Sequence, residues 1–162
     1  MKRVIEGEFV FYETMIMKKI LIIAEKPAQA REYAAALGVR NKNQGWLENE
    51  KYVITWCVGH LLELKRPETY MDLEKVGKRW SLKRLPVLPA VRAFQRDVKP
   101  QTQKQFLVLK KWLQSPDIGQ VICGTDADRE GQLLFQEVWD QVQCTKPLSR
   151  LWISSLTKEA IL

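Results

Sequence analysis

The sequence predicts an α/β fold in which helices sandwich a mostly parallel sheet. Two short apolar runs, 20–24 and 121–123, lack the polar alternation of a half-exposed strand, which is typical of strands covered on both faces. A segment with helical spacing follows each run. Strands that alternate with helices build parallel sheets, so both strands are expected to end at the same edge.

The first strand is predicted at 20–24 and ends at Glu25. Pro27 suits the first turn of a helix, because the N–H that proline lacks has no partner there. This helix is expected to continue to about Leu37 and to end at Gly38. Glu25 therefore lies at the corner between a buried strand and a helix.

Residues 46–48 and 52–57 predict two paired strands around a turn at 49–50. Gly59 and His60 follow directly. A lone histidine in such a place is either a structural residue or a polar contact to a ligand. The sequence pattern alone leaves both interpretations open.

The segment from 65 to 104 is basic, contains several prolines and is predicted to be irregular. Its basic side chains, with Trp80 and Phe94 between them, are Lys65, Arg66, Lys78, Arg79, Lys83, Arg84, Arg92, Arg96 and Lys99. Such charges most often lie on a solvated face, but in a protein that handles DNA they would contact phosphates without reading the sequence. Trp80 is expected to pack into the core, with stacking on a base as the alternative.

The carboxyl-terminal part predicts a helix at 102–114, a strand at 120–124, a helix at 130–142 and a strand at 148–153. Apolar residues at helical spacing mark the two helices: Phe106, Leu109 and Leu113 in the first, and Leu134, Val138 and Val142 in the second. The elements thus alternate between strand and helix, as the parallel sheet requires.

Three carboxylates, those of Asp126, Asp128 and Glu130, fall within five positions after the second apolar run. At about 4 Å each pair of like charges costs roughly 1–4 kcal/mol, so this crowding predicts a compensating cation. Carboxylate oxygens suit Mg²⁺. The alternative is a solvated loop in which Asp128 caps the next helix. The position at a strand-to-helix junction, where open α/β sheets bind ligands, favours the metal site.

At this point the chain resembles a known family. Residues 24–27, Ala-Glu-Lys-Pro, and 126–131, Asp-Ala-Asp-Arg-Glu-Gly, are similar to the two signature motifs of the TOPRIM domain. That domain, with its Rossmann-like fold, is shared by type IA topoisomerases, bacterial-type primases and several nucleases. Four further segments resemble topoisomerase III more than topoisomerase I. These segments are 58–63, 67–70, Trp80 with 85–89, and 150–157.

The resemblance implies a reaction and its residues. Type IA topoisomerases cut one DNA strand by tyrosine attack, pass a strand through the gap and reseal it. Glu25 would then protonate the departing 3′-oxygen when the strand is cut and remove that proton when the strand is resealed. Glu25, Asp126, Asp128 and Glu130 would surround Mg²⁺, with Mn²⁺ as a substitute.

The same resemblance implies contacts to the DNA backbone. Lys26 and Arg129 would stabilise phosphate charge, although Arg129 could instead pair with its acidic neighbours. His60, in a loop that the resemblance places near the acidic site, would position a phosphate or a carboxylate.

The resemblance also divides the chain. Residues 1–16 match nothing in the family and form an amino-terminal extension of unassigned role, 17–155 form the TOPRIM domain, and 156–162 begin the next, truncated domain. The nucleophilic tyrosine of the family lies downstream, and the tyrosines here, Tyr12, Tyr33, Tyr52 and Tyr70, do not match it. The chain alone is therefore expected not to relax DNA.

Composition limits which binding partners and which cellular compartment are expected. A net charge of +7 and a pI of about 9.4 favour a polyanionic partner. The resemblance implies that the partners are DNA, mainly single-stranded, and the remaining domains of the same protein. The apolar runs are far shorter than the ~20 residues that a membrane span needs. Three cysteines without Cys-x-x-Cys spacing argue against a disulfide framework or zinc site, so a reducing cytoplasm is expected, and the resemblance implies association with the bacterial nucleoid.

Two other functions use parts of the same pattern. A TOPRIM nuclease or primase would need the same acids, but it would not account for Gly59-His60-Leu61 with Trp80 and the prolines at 86 and 89. A noncatalytic DNA-binding module would keep the basic face but would not need Glu25 in register with the two aspartates.

Overall fold

The structure is a computed structural model that describes residues 18–71, 79, 81–82, 85–90 and 94–162. The strands within this part are β1 Lys19–Ala24, β2 Asn41–Asn43, β3 Trp46–Glu48, β4 Tyr52–Trp56, β5 Leu62–Leu64, β6 Arg96–Val98, β7 Ile118–Gly124 and β8 Leu148–Arg150. The helices are α1 Pro27–Ala36, α2 Gln103–Gln114, α3 Arg129–Val142 and α4 Lys158–Ile161, with short 3₁₀ turns at Pro67–Tyr70 and Pro100–Thr102.

The main sheet has six strands in the order β2-β3-β4-β1-β7-β8. The strands β4, β1, β7 and β8 are parallel, and β2 and β3 add an antiparallel edge. In the register of β1, Ala24 lies opposite Trp56 on one side and Gly124 on the other. The predicted mostly parallel sheet is confirmed, and its central strands end level with one another.

Helices cover both faces of this sheet. Leu21 and Ile23 point to the face covered by α2 and α3, where they share a core with Leu109 and Phe135. Their neighbours Ile22 and Ala24 point to the other face, which is covered by α1. The unbroken apolar run at 20–24 is thus explained, because a strand buried on both faces has no solvent side.

The main differences from the sequence-based prediction concern the last strand, the strand β2 and the pair of β5 and β6. The last strand ends at Arg150 rather than at 153, because its partner β7 stops at Gly124 and the N–H of Leu151 makes the last bond to Cys123. The polar strand β2 was not predicted. The segment predicted to be irregular contains β6, which pairs with β5 in a separate two-stranded sheet.

Several predictions concern residues outside the described part of the chain. They include Trp80, most of the basic residues between 72 and 93, and the extension at 1–16. No helix of the described part is long and apolar enough to span a membrane.

The three cysteines are free thiols. Cys57 and Cys123 are free and buried, and Cys144 is half-buried. Burial raises the pKa of the Cys57 thiol to about 12, so this side chain is a neutral core residue at physiological pH.

We expect Leu109→Ala to destabilise the fold by about 2–5 kcal/mol, because the side chain of Leu109 is 0% exposed between α2 and the sheet. Urea unfolding followed by circular dichroism measures the change. The matched control on the same helix is Leu107→Ala, at a side chain that is 55% exposed, and it should stay within about 0.5 kcal/mol of the parent. Equal effects of the two substitutions would contradict the described burial.

Candidate functional site

The candidate site lies where β1 and β7 end side by side. Their parallel register places Ala24 next to Gly124, so the residues after each strand emerge at one edge. The hydroxyl of Tyr33 donates a 2.7 Å hydrogen bond to the carbonyl of Gly124. A Cβ atom at position 124 would lie 3.0 Å from the Tyr33 ring, so glycine lets α1 pack closely over this strand end.

Three hydrogen bonds join the two strand ends into a closed ring. The N–H of Asp126 donates to Glu25 Oε2 at 3.0 Å, and the N–H of Glu25 donates to Gln29 Oε1 at 2.7 Å. Gln29 Nε2 completes the ring by donating to Asp126 Oδ1 at 2.8 Å. Gln29 is only 3% exposed, so this buried amide fixes Glu25 and Asp126 relative to each other.

Asp128 serves as the N-cap of α3. Its Oδ1 accepts a 2.7 Å hydrogen bond from the N–H of Gly131, as the capping alternative proposed. The second oxygen, Oδ2, has no protein partner within the described residues. A Cβ atom at position 131 would collide with the carbonyl oxygen of Asp126 and lie 2.9 Å from Glu25 Oε2, so only glycine lets the acidic loop fold against α3.

The acidic loop therefore compensates its charges partly with N–H donors. Glu25 and Asp128 each accept a backbone N–H, and Asp126 accepts the amide of Gln29. The positive end of the α3 dipole lies at the same place and favours negative charge. Because these groups already offset part of the negative charge, the crowding of carboxylates indicates a bound cation less strongly than the sequence suggested.

Arg150 is a site residue that was not predicted. Its guanidinium reaches from β8 across the end of β7, where NH1 donates to Thr125 Oγ1 at 2.9 Å and NH2 donates to the carbonyl of Asp126. NH1 also contacts Cys123 Sγ. The signal available in the sequence was a basic residue within the strand predicted at 148–153, which follows the acidic loop and its helix.

The basic residues predicted for phosphate contact lie beside the acidic loop and are open to solvent. Lys26 Nζ is 3.9 Å from Asp126 Oδ2, and both side chains are substantially exposed. An ion pair of this kind contributes little to stability. Arg129 and Glu130 are exposed in the first turn of α3, and neither forms an ion pair with another described residue. Pairing of Arg129 with its acidic neighbours is therefore not observed.

His60 lies against the middle of α3 rather than against the acidic loop. Its Nδ1 is 3.0 Å from Glu137 Oε2, and Arg96 Nε is 3.3 Å from Oε1 of the same carboxylate. The Glu137 side chain is only 9% exposed. His60 thus contacts a carboxylate, while its positioning role and a contact between His60 and DNA stay predictions.

An open cleft of about 660 Å³ lies over the strand ends. Its lining includes Lys26, Gln29, Asp126, Asp128 and the segment 152–156. Tyr33 lies at its floor, where burial first and the charge of Asp126 second raise the pKa of the phenol. Its hydroxyl donates to the carbonyl of Gly124, and the assignment of the nucleophile to a tyrosine outside this chain stays a prediction.

No group of three or more His, Cys, Asp or Glu side chains in the described residues is arranged to hold a metal ion. The structure brings Glu25 and Asp126 into direct contact, with Asp128 on the adjoining helix cap. The four-carboxylate ligand set predicted from the sequence, which also includes Glu130, stays a prediction.

We expect Gln29→Leu to destabilise the protein by about 1–3 kcal/mol at all pH values, because it leaves the partly buried N–H of Glu25 without an acceptor. Gln29→Glu should add a pH dependence, since the introduced carboxyl would face Asp126 and its pKa would be raised. Its destabilisation relative to the parent should be small below about pH 4 and grow as the pH rises toward neutrality.

Urea unfolding of both variants between pH 4 and pH 8 measures these changes. Gln103→Leu, at an exposed position of α2, is the matched control and should leave the free energy of unfolding within about 0.5 kcal/mol of the parent. Equal and pH-independent effects of Gln29→Leu and Gln29→Glu would show that Gln29 does not join the two strand ends.

Comparisons with known proteins agree with the fold and the strand-end motifs. The chain is 45% identical over 143 residues to DNA topoisomerase 3 of Staphylococcus haemolyticus, covering 88% of this chain and 19% of that protein. It is 44% identical over 145 residues to DNA topoisomerase 3 of Bacillus cereus, again with 19% of that protein covered. The chain thus spans about a fifth of the length of these relatives.

Full-length topoisomerase I from Thermotoga maritima is a structural neighbour, with a TM-score of 0.54 and 21% sequence identity. The match covers 87% of this chain and 19% of that one, and it supports the fold alone. The family model described as the Toprim domain matches residues 20–156, which include both strand-end motifs and Arg150. The chain therefore belongs to the Toprim domain family.

Proposed function

We propose that this chain is the metal-binding catalytic domain of a type IA DNA topoisomerase similar to topoisomerase 3. In this proposal the longer protein cuts, passes and reseals single DNA strands through a tyrosine outside this chain. The observation that carries the proposal is the contact of Glu25 with Asp126 at adjacent strand ends, 101 residues apart in sequence. Relatives named DNA topoisomerase 3 at 44–45% identity support it.

A divalent cation, Mg²⁺ or Mn²⁺, is proposed to bind at this corner, with ligands from the protein carboxylates and from the substrate. Mg²⁺ is usually bound through one or two carboxylates and completes its shell with water and phosphate oxygens. Asp126 and Asp128 provide the carboxylates, since Asp126 Oδ2 and Asp128 Oδ2 are not taken up by the hydrogen bonds of the loop. Glu25 contacts the N–H of Asp126, and Glu130 follows Asp128 by two residues, so both are proposed as further ligands of this cation. The bound cation would supply positive charge for phosphate oxygens.

Glu25 is proposed as the group that exchanges a proton with the 3′-oxygen of the cut strand. The N–H of Asp126 holds its Oε2, and Oε1 has no protein partner within the described residues. One oxygen is therefore fixed while the other is available for proton exchange. The buried Gln29 keeps this orientation by binding the backbone N–H of the same residue.

Lys26 and Arg129 are proposed to contact DNA phosphates, because both are exposed cations on either side of the acidic loop. His60 would contribute by orienting Glu137 and, through it, Arg96. With a net charge of +7, the chain should bind single-stranded DNA weakly and lose affinity as salt rises. The other partners proposed are the remaining domains of the longer protein, in the bacterial cytoplasm at the nucleoid.

A nuclease or primase would use the same carboxylates. The names of the relatives favour a topoisomerase. A topoisomerase also differs from a nuclease in its product, since it reseals the strand that it cuts.

In the longer protein we expect Glu25→Ala to slow plasmid relaxation by about 10²–10⁴, the usual contribution of a positioned acid or base. Glu32→Ala, at an exposed acid of α1, is the matched control and should relax plasmid at the parental rate. Residues 1–162 alone should leave supercoiled plasmid unchanged and form no covalent DNA adduct. Robust relaxation by this short chain would place the nucleophile within it and contradict the proposal.

A further inference from the structure

A second cleft of about 620 Å³ adjoins the acidic one. Its lining includes Arg129, Gln132, Leu133, Arg150 and Trp152. The two clefts share three lining residues, Ala127, Asp128 and Trp152, and are therefore direct neighbours. A ligand that extends beyond the acidic corner therefore meets Trp152.

Trp152 is unusually open for a tryptophan of a folded domain. Its side chain is 75% exposed, and Leu133 in the same cleft is 45% exposed. One charged side chain lies over the ring of Trp152, since Arg150 Cζ is 6.0 Å from the ring centroid. Arg150 is itself held by Thr125 and by the carbonyl of Asp126. A large flat apolar surface is thus presented to solvent beside an anchored arginine.

The polar groups around this ring match a nucleotide. Arg129 is an exposed cation without an ion pair among the described residues, and it suits a phosphate. The exposed amide of Gln132 can donate to or accept from the edge of a base. Stacking between a base and an aromatic ring tolerates any sequence, because every base has a π-face.

We propose that Trp152 is a stacking platform for one nucleobase of a single-stranded nucleic acid. The proposal rests on the proposed function for one point only, which is that a neighbouring phosphate lies at the Glu25–Asp126 corner. A protein segment is the other class of occupant for an exposed tryptophan. The nucleotide is favoured because the cleft shares its wall with the acidic site and carries two arginines, in a chain of net charge +7.

The test compares binding of a dye-labelled oligothymidylate with binding of the same strand lacking its bases, at low salt and without metal. For the parent chain, fluorescence anisotropy should show that loss of the bases weakens binding by about 5- to 150-fold. Trp152→Ala should weaken binding of the normal strand by a similar factor and make it insensitive to the bases. Trp152→Phe should retain most of the base dependence, and Leu107→Ala, at another exposed apolar residue, all of it.

Equal binding of the two strands by the parent chain would overturn the platform, and this result does not depend on the folding of any variant. Unchanged binding of the normal strand by Trp152→Ala would also overturn it. If the longer protein fails to relax plasmid while the base dependence remains, the proposed function fails and the platform stands.

Discussion

The hydrogen-bonded ring of Glu25, Gln29 and Asp126 is the contact on which the candidate site depends. The parallel register of β1 and β7 brings two strand ends together, but it does not decide where the side chains after them point. The ring decides this, because each of its three members both donates and accepts. Each such bond contributes about 0.5–1.5 kcal/mol, and breaking one leaves a buried group unpaired at a larger cost.

The rest of the corner supports the ring from two sides. Gly131 lets the backbone of Asp126 lie against the first turn of α3, where a side chain would collide with it. Arg150 binds the outer surface of the same loop through Thr125 and Asp126. The carboxylates are thus stabilised by N–H donors and a helix terminus, so the loop keeps its form while carboxylate oxygens remain open to solvent. A corner that is built in advance in this way can bind a cation without first collapsing around it.

The elements with local signals could be predicted from the sequence. The buried run at 20–24, the helix start at Pro27 and the cap at Asp128 each depend on neighbours a few residues away, and the structure has all three. Gln29 and Arg150 could not be assigned in this way. Gln29 binds a carboxylate 97 residues along the chain and Arg150 reaches the loop from another strand, so their roles exist only once the sheet is formed. The end of β8 was missed for a related reason, because it depends on where β7 stops.

The most direct test of a cation site at this corner is the broadening of backbone amide signals by Mn²⁺, which prefers carboxylate ligands as Mg²⁺ does. At substoichiometric Mn²⁺, the signals of Glu25, Asp126 and Asp128 should broaden first, and Asp126→Asn with Asp128→Asn should abolish this selectivity. Broadening that begins instead at the acids of β6 and the end of α3, Asp97 and Asp140, or that is spread evenly over the acidic residues, would contradict a cation site built on the Glu25–Gln29–Asp126 ring.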